Sequence, residues 1–184
     1  NLQTTGASGA RELVLGTGAT LGLVDFTNAV GILSAAADAR VTATGTVTTG
    51  GQGANKAFGE LEFNGANAAL VGAVEAQSEI EILDADIVLA NGEDLSTVNL
   101  TVGDGTTAAS LTQEASANQA QAAVVDLDGG FRLAAASRVD GFGNGAFRVA
   151  GNATVDTQAD ITNIGGNPLT LDGAGTQTVT LGRN

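Results

Sequence analysis

Phe147-Arg148-Val149-Ala150-Gly151 is followed 22 positions on by Leu169-Thr170-Leu171-Asp172-Gly173, and preceded by the same interval by Val125-Asp126-Leu127-Asp128-Gly129. Each reads apolar, polar or small, apolar, polar or small, then glycine. The pattern recurs at Val41-Thr42-Ala43-Thr44-Gly45 and Leu61-Glu62-Phe63-Asn64-Gly65. Two degenerate copies lie between these groups. Ile80-Glu81-Ile82-Leu83-Asp84 has Asp in place of glycine, and Leu100-Thr101-Val102-Gly103 brings the glycine one place early. The spacings between successive starts are 20, 19, 20, 25, 22 and 22 residues.

Alternate side chains of a strand face opposite sides. In each copy the first and third residues are apolar, so they are expected to point inward and lie above one another. Leu61, Ile82, Leu127, Val149 and Leu171 would then share one continuous column. The residues between them (Thr42, Glu62, Glu81, Thr101, Asp126, Arg148 and Thr170) are polar in every copy and would face water. The closing glycine suits a sharp corner with positive φ, a conformation that Asp84 also tolerates.

A repeat of this length is too short for a propeller blade and lacks the leucine-rich consensus. It fits one coil of an all-β, single-stranded parallel β-helix (β-solenoid). Second strands are visible in the coils, at Ala68–Val71, Ile87–Leu89, Phe131–Leu133 and Thr178–Leu181. About seven coils at about 4.8 Å each would form a rod roughly 30 Å long. The alternative is an antiparallel β-sandwich or jelly roll, which would not keep a persistent inward register. Two units are expected: an N-terminal extension over 1–40 and a solenoid over 41–184. The extension would hold an unassigned arm at 1–12, short strands over Glu12–Phe26, and a capping helix opening at Asn28, with an irregular Ala-rich loop as the rival reading. Ser110–Ala123, polar and Ala-rich, reads as a loop or short helix bulging from one face.

Composition narrows the function. The 184 residues carry 27 Gly, one Pro and six Phe, with no Cys, Met, Trp, Tyr or His. At 43% hydrophobic the chain is too apolar for disorder, and its core must be built from small and branched aliphatics. Twenty acids against seven bases leave a formal charge of −13, a surface that repels nucleic acid and anionic lipid. Without His or Cys, no Ser-His or Cys-His catalysis is available. No apolar run is long enough for a transmembrane helix. A start at Asn1 and the lack of any Met suggest processing or excision from a longer chain.

These coils, together with GAGTQTVTLG over Gly173–Gly182, resemble the β-helical passenger regions of bacterial autotransporters and filamentous adhesins. The resemblance spans roughly 41–184 and rests on a motif of low complexity. It implies an exported structural stalk or adhesin at a bacterial cell surface, with surface glycans as a partner class, and transfers no catalytic residue. The membrane-embedded barrel of such proteins has no counterpart in this sequence.

Four acids near turns are weak calcium candidates: Asp126 and Asp128, and Asp84 and Asp86. Neither pair fits the spacing of a known calcium loop, so no cofactor is expected beyond weakly bound Ca²⁺. A carbohydrate-active enzyme is the rival function. It would use Asp126, Asp128 and Asp140 with Arg132, Arg138 and Arg148, but lacks aromatic residues to stack sugars. A non-enzymatic role is therefore expected. A third reading is a β-sandwich subunit assembling by strand donation. Solenoids expose unpaired backbone at their ends. Thr178, Val179, Thr180 and Leu181 leave no following pattern to cover them, so head-to-tail self-association is expected. The arm ending in Leu13, Val14 and Leu15 would donate the strand.

Overall fold

The computed structural model describes residues 11–15, 20–23, 26–27, 31–35, 40–48, 57–114, 122–141, 145–162 and 169–182. Among these the chain is all-β with no helix, and every strand pair is parallel, so the antiparallel sandwich and its strand-donation variant are set aside. The strands climb in levels around three faces. The first level is β1 (Arg11–Leu15), β2 (Thr20–Leu23) and β3 (Phe26–Thr27); the second is β4 (Gly31–Ala35), β5 (Arg40–Ala43) and β6 (Thr46–Thr48). In the next two levels one long strand serves both of the first two faces. These are β7 (Ala57–Asn64) with β8 (Ala69–Val71), then β9 (Val74–Asp84) with β10 (Asp86–Leu89). Above them lie β11 (Leu95–Thr97), β12 (Asn99–Val102) and β13 (Ser110–Gln113), then β14 (Val124–Leu127), β15 (Phe131–Leu133) and β16 (Arg138–Asp140). β17 (Ala146–Val149), β18 (Ala153–Val155) and β19 (Asp160–Thr162) follow, with β20 (Leu169–Leu171) and β21 (Val179–Leu181) last.

Face one is the ladder β1-β4-β7-β9-β11-β14-β17-β20, and face two is β2-β5-β7-β9-β12-β15-β18-β21. Face three holds β3-β6-β8 and β10-β13-β16-β19, with β10 packed beside β8. The inward alternation is as expected: Val41, Leu61, Ile80, Ile82, Leu100, Val125, Leu127 and Val149 are all buried. The single column, however, is two. Leu100 stacks on Phe131, 31 residues away, while Val125 stacks on Leu95. Leu61 and Ile82 therefore belong to face two, and Leu127, Val149 and Leu171 to face one. The step from Leu100 to Val125 crosses a corner. Both faces carry the same five-residue pattern, so spacing along the chain does not show which copies stack.

The motif glycines divide: Gly65 and Gly103 take positive φ, at +139° and +87°, as expected for a sharp corner, whereas Gly129, Gly151 and Gly173 do not. They lie on the backbone below: an added Cβ would come within 2.7 Å of the Val98 carbonyl oxygen, 2.6 Å of Gly129 and 1.8 Å of the Ala150 carbonyl oxygen respectively. Asp84 does not adopt positive φ; the described non-glycine residues that do are Ala136 and Gln158.

The N-terminal expectations need correction. Gly31–Ala35 is a strand, paired with β1 and β7, because cross-strand pairing with formed levels outweighs the helix preference of an Ala-rich run. Asn28 and residues 1–10 lie outside the described residues. Among the described residues β1, β2 and β4 continue the same ladders as the strands after 41, and Arg40 already belongs to β5. Leu13, Val14 and Leu15 pair in register with Leu33, Ser34 and Ala35 of their own chain, so they form the first level and are not a donor arm. Ser110–Gln113 is β13, and 115–121 lie outside the described residues.

Two small residues stack against large ones in the core. Ala43 faces Phe63, and Ala153 follows Phe131, whose ring meets Phe147 edge-on at 4.9 Å between centroids. Among the described strands Thr97 and Gln113 are polar at inward positions. Thr97, 3% exposed, has no hydrogen-bond partner for Oγ1 among the described residues.

Candidate functional site

The enzyme-like cluster is dispersed by the fold. Asp126 and Arg148 stand opposite one another on face one. Arg132 is on face two and pairs with Asp156 at 3.0 Å. Arg138 and Asp140 are on face three, joined to each other at 3.1 Å. The calcium candidates are dispersed too. Asp84 ends β9, while Asp86 opens β10 and accepts a hydrogen bond from Ser110 Oγ at 2.5 Å. The side chains of Asp126 and Asp128 are exposed, and no group of three or more acidic residues fit to hold a metal ion occurs among the described residues.

What the fold does assemble is an ionic ladder on face two. The residue one place before the motif is Arg40, Glu60, Glu79 or Asn99 on successive levels, and the second motif residue is Thr42, Glu62, Glu81 or Thr101. Arg40 lies at the foot of this stack. Its Nε donates to Glu60 Oε2 at 3.1 Å; its Nη1 donates to Glu62 Oε2 and reaches Glu81 Oε2 at 2.6 Å. One guanidinium thus ties β5, β7 and β9 together. Desolvation works against its charge, but Glu81 and the hydrogen bonds to Glu62, Glu81 and Glu60 raise its pKa above the ordinary value. Asn64 Nδ2 donates to Glu62 Oε1 at 2.8 Å.

Glu79 lies at the margin of this network. Burial, then the charges of Glu81 and Glu60, push its carboxyl above the usual glutamate value. Thr101 Oγ1, donating at 3.3 Å, and Arg40 offset part of that. Four carboxylates against one guanidinium make a strongly acidic outer stripe whose evident chemistry is to fasten neighbouring levels.

Further side chains tie levels together at the corners, and none had been singled out for this role from sequence. Asn99 Oδ1 accepts from Gly130 N at 2.9 Å, and Asn152 Oδ1 accepts from Thr178 N at 2.9 Å. Asp94 Oδ1 accepts from Val124 N at 2.9 Å, at the start of β14. Gln113, 4% exposed, ends β13: its amide donates to the Gly141 carbonyl oxygen at 2.9 Å and accepts from Ala123 N at 2.7 Å. Asp104 closes the exposed turn before β13, accepting from Thr106 N and Thr107 N at 2.7 Å and from Thr106 Oγ1 at 2.8 Å. The backbone hydrogen bonds from Thr107 and Thr106, and then the Thr106 hydroxyl, lower its pKa to about 2.

The predicted association surface is β21 and its surroundings. β21 pairs with β18 on one side, and its inward-register residues Val179 and Leu181 remain 43% and 66% exposed. No helix among the described residues is long and apolar enough to cross a membrane.

The fold defines a parallel β-solenoid. Comparison with protein-family models, curated proteins and solved structures finds no match.

Proposed function

We propose that this chain is a structural rod, a segment of an exported surface stalk or filament at a bacterial cell surface, without catalytic activity. The observation that carries this reading is where the polar side chains are spent. Arg40, Asn99, Asn152, Asp94 and Gln113 each bind a neighbouring level. Side chains used in this way stiffen a stack along its axis. The acidic exterior keeps such rods soluble and apart sideways.

Growth along the axis is the second part of the proposal. Leu169-Thr170-Leu171 and Val179-Thr180-Leu181 present the apolar-polar-apolar register of an internal level. Leu13-Val14-Leu15 and Leu21-Gly22-Leu23 place apolar residues at the same spacing in the first level. A second copy stacked head-to-tail continues both ladders, and a heterologous contact of this kind builds an open filament.

Sedimentation and negative-stain electron microscopy over a concentration series test this. Lengthening rods are expected, and Leu181→Lys is expected to stop growth while leaving the circular dichroism spectrum unchanged. A chain that stays monomeric at high concentration, with β21 amides protected from exchange, contradicts the association. Turnover on a polysaccharide panel, with or without Ca²⁺, contradicts the non-enzymatic reading.

A further inference from the structure

We infer that Asn91 is a self-modification site, converting to aspartate and isoaspartate, and that the fold protects Asn64 from the same reaction. Both precede glycine, in Asn91-Gly92 and Asn64-Gly65. In this chemistry the backbone nitrogen of the glycine gives up its proton and attacks the asparagine Cγ. The bond from Cγ to the side-chain nitrogen breaks, and ammonia leaves carrying that proton. Water then opens the resulting succinimide at either carbonyl. The net change is one water consumed and one ammonia released, with no oxidant, reductant or catalyst required. Glycine following asparagine favours the reaction because no Cβ hinders closure of the ring.

Sequence treats the two sites alike, and the structure separates them. The nucleophile at the protected site is engaged: Gly65 N donates to the Asp84 carbonyl oxygen at 2.8 Å, a link between levels. The side-chain amides do not separate the sites, since Asn64 Nδ2 donates to Glu62 Oε1 at 2.8 Å and Asn91 Nδ2 to Glu114 Oε2 at 3.5 Å. Reaction at Asn64 requires the Gly65 bond to break. Asn91 and Gly92 instead form an exposed turn between β10 and β11. Gly92 has φ +79° with nothing within 4 Å of its Cβ position, and its amide makes no hydrogen bond among the described residues.

Conversion at Asn91 alters a contact between levels. Glu114 Oε2 accepts from Asn91 N at 3.3 Å and from Asn91 Nδ2 at 3.5 Å. Replacing that amide by a carboxylate sets two like charges against each other and removes a donor, and isoaspartate also lengthens the main chain by one carbon. The side-chain tie is lost, while the backbone bond from Glu114 N to the Leu89 carbonyl oxygen at 2.8 Å still joins the ends of β10 and β13.

The test is peptide mass mapping of the intact chain after incubation at mildly alkaline pH, with a parallel sample held in urea. In the folded sample the one-dalton gain at Asn91 is expected to outpace that at Asn64 by about tenfold or more, a factor that one engaged hydrogen bond can supply. In urea the two rates are expected to converge. Equal rates in the folded chain overturn the inference, as does an Asn91 that stays an amide. A difference that persists in urea overturns it too, because the fold would then not be its cause.

Discussion

Phe63 and Leu181 hold equivalent inward positions on face two, yet Phe63 is fully buried and Leu181 is 66% exposed. Local sequence is the same kind at both, an apolar residue two places after another apolar residue. Between the β7 level and the β21 level the difference lies in what is stacked against them. Phe63 has β5 on one side and β9 on the other, whereas among the described residues β21 pairs with β18 alone. In a solenoid, burial is conferred by the neighbouring level, and each level's stability depends on the interfaces it makes.

The largest expected effect separates those two positions. Phe63→Ala is expected to cost about 3–5 kcal/mol through the cavity it leaves. Leu181→Ala should cost under about 1 kcal/mol in dilute solution, since little of its surface leaves water. Denaturant unfolding measures both. Equal costs would mean that the two levels are equally enclosed, contrary to the ladder described.

Arg40 sharpens the contrast from the outside. Arg40→Met keeps much of the aliphatic stem but strips the partner from Glu60, Glu62 and Glu81, and about 1–3 kcal/mol of destabilisation is expected. Arg132→Met, whose single ion pair with Asp156 is more exposed, should cost less than about 1 kcal/mol. High salt should narrow the gap between the two variants if repulsion among the acids causes it.

Thr97→Val should change stability in the opposite direction, by about 1 kcal/mol, because it removes a buried hydroxyl that lacks a partner and keeps the shape. A loss of stability would reveal a partner for that oxygen.

The smallest effects are in pH dependence, and the two shifted acids have opposite signs. Glu79 has a raised folded pKa, so its contribution becomes more favourable as pH falls through that value and is unfavourable at neutral pH. Glu79→Gln should therefore flatten the pH profile just above the ordinary glutamate value of 4.5. Asp104 has a lowered folded pKa. Its turn is stabilised above the ordinary value of 3.8, and that contribution is lost as pH falls toward about 2. Asp104→Asn should remove this acid-side loss. Profiles that move in the same direction for both variants would contradict the assignment.

Much of the fold was legible because face parity is a local property. Strict alternation in Leu61-Glu62-Phe63 or Phe147-Arg148-Val149 fixes which side is inward, and the recurrence of the pattern fixes a parallel coil. The column to which each copy belongs was not legible, because pairing is long-range and faces one and two share one pattern. Gly31–Ala35 was misread as part of a helix because its Ala-rich surroundings carry a local preference that pairing overrides. Of the ionic ladder, the sequence showed Glu62 and Glu81 as outward, but Arg40 sits one place before the motif. A scan of that preceding position (Arg40, Glu60, Glu79, Asn99) would have found the tie. Gln113 gave no comparable signal, since its partners Ala123 and Gly141 lie outside the repeated motif.

The most direct test of the stacking uses the absence of native cysteine. Thr101 and Arg132 are Cα partners on β12 and β15, whereas a ladder read from sequence pattern alone sets Thr101 against Asp126. Adjacent strands lie about 4.8 Å apart, within the roughly 4.4–6.8 Å between Cα atoms that a disulfide spans. Under mild oxidation Thr101→Cys with Arg132→Cys is expected to form an intramolecular disulfide, and Thr101→Cys with Asp126→Cys to stay reduced. The reverse outcome, a bond to position 126 and none to 132, would contradict the three-faced solenoid.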